Sequence, residues 1–379
     1  GGNTITLAAT PDAQPGLIGW SSDNKAIYVN EANKTLNSIY KLGIDGKEIT
    51  EWNKGSNDLI GGATLNSTAT QIGFVLQNPS KPGEAYVSSV NSFAPQKITN
   101  LYADIAAYPV PKTELVKWKA FDGKEIEGLL TYPLNYEAGK KYPLILNIHG
   151  GPAGVFVQNF VAGNQGVYQI AAFAEMGMFV LRPNPRGSSG YGKDFRLANQ
   201  RDWGGGDYKD LMAGVDHVLK MGAVDANRLG VMGWSYGGFM SSWIVGHTDR
   251  FKAASIGAPV VDLVHQNLTD DIAGFLPSYM KSDPWNDWKV YDEHSPLRFV
   301  QNVKTPVMLQ HGEAKVLLTD REFAPIVEKA LALMGERRPL VIEVEDDTAP
   351  QGKRLGTLDY DVLVESGDPE FGWTLPGDE

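Results

Sequence analysis

Ser235 sits in Gly233-Trp234-Ser235-Tyr236-Gly237, a G-x-S-x-G pattern inside "RLGVMGWSYGGFM" (residues 228–240), between an apolar run fit for a strand and one fit for a helix. Glycine at 233 and 237 lets the chain turn sharply, lifting the serine hydroxyl above a sheet edge with a helix N-terminus behind it. The chemistry this suits is acyl transfer: the hydroxyl attacks a carbonyl, and the developing oxyanion needs backbone N–H donors. The N–H of Tyr236 is one candidate donor. "NIHGGPAG" (residues 147–154) supplies the second from backbone near Gly151, where glycine permits close approach, and His149 shapes that loop. A glycine-rich turn carrying an ordinary serine is the plain alternative.

Such residues need a scaffold of alternating strands and helices, and from about Tyr142 the sequence provides one. "YPLILNIHGG", "MFVLRPNPRG", "LGVMGWS", "FKAASIGAP" and "TPVMLQHGE" read as strands; "GVYQIAAFAEMG", "GGDYKDLMAGVDHVLKMG" and "GGFMSSWIVGH" read as helices. Runs such as Leu144-Ile145-Leu146 suit strands covered on both faces, so the sheet is expected to be mainly parallel and doubly wound, with its site beyond the strands' carboxyl ends. Upstream, short apolar runs punctuated by Asp-Asn, Asp-Gly and Pro-Gly pairs read as antiparallel meanders. Their loose repeat of roughly 45 residues suits propeller blades, of which about two are present where a closed propeller needs at least four. The expected organisation is a partial all-β propeller over 1–110, a linker with the first strands of the next domain over 111–141, an α/β domain over 142–360, and a frayed acidic tail over 361–379.

With 379 residues, 42% of them hydrophobic, the chain can bury a full core, and two domains are the starting expectation. A formal net charge of −11 without a basic cluster argues against a nucleic-acid partner. There is no cysteine, which excludes disulfides, thiolate metal sites and a Cys nucleophile. No membrane span and no export signal is evident, so a soluble cytoplasmic or periplasmic protein is expected, with the compartment open. The chain opens Gly1-Gly2 without a Met, as a processed, partial or altered chain does. Unpaired edges of partial blades would favour a homo-oligomer.

Long motifs then carry a family resemblance. "HGGP", "RPNPRGSSGYGKDF", "DYKDLMAGVDHVL", "GWSYGGFMSSWIVGHTDRFKAASIGAPVVDL" and "HSPLRFVQNVKTPVMLQHGEA" resemble the catalytic domain of the prolyl oligopeptidase family, especially its acylaminoacyl-peptidase and dipeptidyl-peptidase-like branches. The likeness spans about residues 1–335; "WKAFDGKEIEGLLTYP" resembles the junction between propeller and hydrolase. It implies an α/β-hydrolase fold behind a propeller, a serine peptidase working on short peptides through an acyl-enzyme on Ser235, and no cofactor or metal. It also implies that "LTDDIAGFLPSYMKSDPW" lines the first specificity pocket, with Trp234, Phe275 and Tyr279 as an apolar wall; core packing competes for each.

In that family the triad acid directly follows "HGEA", and the base is a His after one more helix and strand. Here position 315 is Lys, and no His follows His311, so both expected partners are missing. Lys315 in a Ser–Lys pair and His311 are conceivable substitutes, though a solvated Lys and a structural His are their plainer roles. Asp320, Asp346 and Asp347 lie in the right neighbourhood for an acid, but an acid orients nothing without an imidazole. Activity is therefore expected to be strongly impaired. A catalytically silent relative that binds peptides or partners, or an altered chain on the same scaffold, is the alternative; an esterase is a third.

Overall fold

The computed structural model describes residues 4–272, 274–310, 316–320, 324–334, 340–344, 353–356, 358–359 and 362. They fall into two compact units, residues 1–310 and 311–379.

In the first unit, β1 (Gly16–Trp20), β2 (Ala26–Asn33), β3 (Leu36–Gly43) and β4 (Ile49–Glu51) form one antiparallel meander. A second meander follows: β5 (Leu59–Leu65), β6 (Gln71–Asn78), β7 (Lys81–Ser89) and β8 (Gln96–Lys97). Each is a propeller-like blade. Strand β6 shows why it forms: Ile72, Phe74 and Leu76 are buried at a period of two. They meet Tyr28, Ile39 and Trp52 of the first blade in one shared core. Trp52 sits edge-on to Phe74 at 5.6 Å and donates its indole N–H to Ser89 O at 3.1 Å.

The α/β portion runs β9 (Thr113–Lys119), β10 (Glu125–Thr131), β11 (Tyr142–Ile148), α1 (Ile170–Glu175), β12 (Phe179–Asn184), α2 (Lys193–Arg196), α3 (Gly206–Lys220), β13 (Val224–Trp234), α4 (Tyr236–His247) and β14 (Ala253–Gly257). After these come α5 (Leu263–Thr269), α6 (Phe275–Met280), α7 (Trp288–Glu293) and β15 (Val307–Gln310). The seven strands order as β15-β14-β13-β11-β12-β10-β9, parallel from β15 to β12 and antiparallel at the β10–β9 end. All of β12 is buried, as expected of a strand covered on both faces.

On one face lie α3 and α4. Buried Asp207, Asp210, Leu211, Gly214, Val215 and Val218 form the helical stripe of α3, and α4 is buried almost all round. Gly214 is required: a Cβ there would sit 2.6 Å from the ring of Trp118, whose indole N–H donates to Asp210 O at 2.9 Å. The opposite face carries α1 and the cluster Val161, Tyr168, Ile170, Val180 and Met232. The chain passes from β11 to β12 on one side and then crosses back over β11 to β13 on the other, and this reversal of strand order opens a crevice at the carboxyl ends of these three strands.

The second unit, taken by itself, holds β16 (Val316–Asp320), α8 (Ala324–Met334), β17 (Leu340–Val344) and β18 (Leu358–Asp359) in a parallel three-stranded sheet. The segment 316–320 is thus a strand. Its apolar Val-Leu-Leu core suits that conformation. Residues 358–359 pair as a short strand with β17. The expected frayed tail lies outside the described residues except for Val362.

Candidate active site

Ser235 begins the turn between β13 and α4 at φ 59° and ψ −118°. A positive φ is uncommon for a residue with a Cβ and holds only where the surroundings enforce it. Here Ser235 N–H donates to Gly257 O of the neighbouring strand and Ser235 C=O accepts from Phe239 N–H, each at 2.9 Å. Glycines remove the obstacles. A Cβ on Gly233 would stand 2.7 Å from Gly237 Cα, and one on Gly237 would collide with the Ile148 carbonyl. Tyr168 Oη, 3.1 Å from Gly233 O, braces the same turn from the α1 face. Ser235 itself is exposed.

The loop after β11 touches it. A Cβ on Gly150 would lie 3.2 Å from Trp234 O and 3.4 Å from Ser235 Cβ, so glycine here is what lets the two turns meet. Gly151, next along, is exposed at φ 131°. Buried His149 places Nδ1 2.8 Å from Gly150 O and Nε2 2.9 Å from Ser188 Oγ. Desolvation pulls its pKa down to about 4, so the ring is neutral and carries one hydrogen. The trans peptide after the Gly150 carbonyl turns Gly151 N–H the opposite way from His149, and Ser188 O–H donates to Pro185 O at 2.7 Å. His149 orients the loop, as expected from the sequence, and is not bonded to Ser235.

Tyr236 has a second tie that the sequence did not reveal. Its hydroxyl donates to the Asp207 carboxyl, which also accepts from Gly204 N–H at 2.9 Å and Tyr208 N–H at 2.8 Å. Burial pushes the Asp207 pKa up to about 7, with Asp202 and Asp210 adding to the rise against the hydrogen bonds. Trp203, fully buried, packs edge-on to Tyr236 at 5.1 Å and beside Tyr279 and Phe275 at 5.2 and 6.1 Å. Phe275 and Tyr279 therefore share an aromatic cluster with Tyr236. Trp234 does not join them: it follows the strand's period of two and packs with Met232 on the opposite face. The expected three-membered wall is split, with two of its members together.

Among the described residues Ser235 Oγ has no hydrogen-bond partner. Five of the six histidines are described. His217 stacks on Trp118, His247 Nδ1 lies 2.7 Å from Trp243 O, His294 Nδ1 lies 2.7 Å from Val290 O, and His265 is exposed on α5. Lys315, His311, Asp346 and Asp347 lie outside the described residues, and Asp320 ends β16 in the second unit. No group of three or more His, Cys, Asp or Glu that could hold a metal occurs among the described residues, and no described helix is long and apolar enough to cross a membrane.

Residues 165–315 match the prolyl oligopeptidase family. The chain is 32% identical over 327 residues to the peptidase YuxL of Bacillus subtilis, covering 85% of this chain and 48% of that protein. It is 28% identical to dipeptidyl-peptidase 5 of Porphyromonas gingivalis over 82% of this chain and 46% of the relative. It thus spans about half the length of these relatives. Among solved structures, Pyrococcus horikoshii acylaminoacyl peptidase superposes with a TM-score of 0.68 at 23% identity, over 88% of this chain and 52% of that one. The blades, the mainly parallel sheet and the turn at Ser235 are thus an α/β-hydrolase fold with a propeller-like segment, and the chain belongs to the prolyl oligopeptidase family.

Proposed function

We propose that the chain is a serine-type peptidase that acts on short peptides through an acyl-enzyme on Ser235, with turnover strongly reduced by the loss of its proton relay. The observation that carries the proposal is Ser235 held exposed at positive φ against the Gly150 loop; in this reading the backbone N–H groups of Tyr236 and Gly151 act as the oxyanion donors. Phe275 and Tyr279 supply the apolar wall for the residue before the scissile bond. The family match and the peptidase names of the relatives support the reaction class.

The reduced turnover follows from the replacement of the expected acid by Lys315 and from the absence of any His after residue 311. Without an imidazole to take the serine proton and return it to the leaving amine, turnover falls by about 10⁶, leaving roughly 10³ to 10⁴ over water from the oxyanion donors and binding. The same observation favours a second reading, a silent relative that binds peptides without cleaving them.

A fluorophosphonate probe separates the two. Labelling of the protein that is lost in Ser235→Ala is the expected result. Equal slow background labelling in both proteins would overturn the peptidase proposal and leave the binding one.

A further inference from the structure

Two arginines four residues apart, one on β12 and one just beyond its end, meet opposite fates. Arg186 turns its Nε/Nη2 edge onto the Asp210 carboxylate with two bonds of 2.8 Å, and its other edge reaches Asp122. Arg182 is 1% exposed, and among the described residues the same Nε/Nη2 edge has no hydrogen-bond partner. Among the described residues its guanidinium makes one bond, from Nη1 to Gln165 Oε1 at 3.3 Å, and lies over the Phe156 ring, with the guanidinium carbon 5.7 Å from the ring centre. Across β10, Arg182 faces Leu129.

The nearest carboxylate on that face in register, Glu127 opposite Asn184, is already engaged: Lys117 lies at 2.7 Å, Lys34 at 3.5 Å, and Tyr191 donates at 3.2 Å. Two lysines and a tyrosine hydroxyl thus already engage this carboxylate. A guanidinium stays protonated even here, where burial brings its pKa to about 10. A buried cation with two idle donors is costly unless an anion meets them.

We propose that the Nε/Nη2 edge of Arg182 is a binding site for a small monovalent anion, gripped side-on as Arg186 grips Asp210. The site lies one ring from the candidate oxyanion loop: Phe156, whose ring stands 5.3 Å from His149, is pinned by Asn184 through its N–H at 2.8 Å and its C=O at 3.0 Å. The proposal does not depend on whether Ser235 turns over.

The test is thermal unfolding of the unaltered protein in rising nitrate or bromide, with isethionate, a bulky sulfonate, holding ionic strength constant. A rise in Tm of about 2 °C per tenfold anion above its Kd is expected, and it disappears in Arg182→Met. A crystal soaked in bromide is expected to show an anomalous peak on the guanidinium, which decides the matter even if Arg182→Met fails to fold. An equal rise in Arg182→Met, or a flat response with no bromide peak at Arg182, overturns the proposal.

Discussion

Two buried ionisable side chains beside Ser235 make opposite demands on pH. His149 has a folded pKa of about 4 against an ordinary 6.5, so its contribution to stability is fully present above pH 6.5 and is lost as pH falls toward 4. Asp207 has a folded pKa of about 7 against an ordinary 3.8, so its contribution is present below pH 3.8 and is lost as pH rises through 7. Each shift is worth on the order of 3–4 kcal/mol over its window. Urea unfolding at pH 4.5, 6 and 8 checks this: Asp207→Asn should remove a decline toward neutral pH, and His149→Asn a decline toward acid. Profiles that keep the wild-type shape in both variants would refute these assignments. The serine and its flanking glycines were legible in the sequence because the turn they make is local. Asp207 and Trp203 were not, because what they do depends on contacts with Tyr236, 29 residues from Asp207, that only folding creates.

At the scale of elements, the active turn exists because strand β11 and helix α4 approach closer than any side chain permits. Gly237 lies against the Ile148 carbonyl, and Gly238 would put a Cβ 3.0 Å from Pro259 Cα. Gly237→Ala must push backbone against backbone, which has no flexible end to yield. It should therefore cost more than the usual ~1–3 kcal/mol of core overpacking and also displace Ser235. The expected outcome is a large fall in Tm together with loss of probe labelling, whereas Ser241→Ala, on the same helix, should leave labelling intact. The helical period made α3 readable, and apolar runs marked α4 and β12 as elements covered on all sides. Short helices α2, α5, α6 and α7 escaped because four to seven residues give a period too little length to register. The swap of Trp234 to the other face was readable in principle, from the alternation that places it with Met232.

Across the first unit, the blade-forming strands and the hydrolase sheet are joined by a chain of buried polar contacts. Glu31 of β2 accepts from Thr10 Oγ1 at 2.6 Å, from Asp12 N–H at 3.0 Å and from Gln14 N–H at 2.7 Å, fixing the leading segment to the first blade. Asp12 in turn accepts from Gly192 N–H at 2.8 Å and pairs with Arg196 at 2.9 Å, both on the hydrolase side. Arg196 also donates to Asp12 O at 2.6 Å. Further ties run from Lys34 N–H to Gly190 O at 2.8 Å, from Gln158 N–H to Thr35 O at 2.9 Å and from Phe160 N–H to Gln77 Oε1 at 3.0 Å. Because Asp12 and Arg196 are both buried, removing one strands the other as an unpaired charge, which costs about 3–5 kcal/mol. Asp12→Ala should lose that much by urea unfolding. The double variant Asp12→Ala/Arg196→Met should recover part of it, since no lone cation remains. If the two single losses simply add, the pair is not coupled and the blades are held by their backbone ties alone.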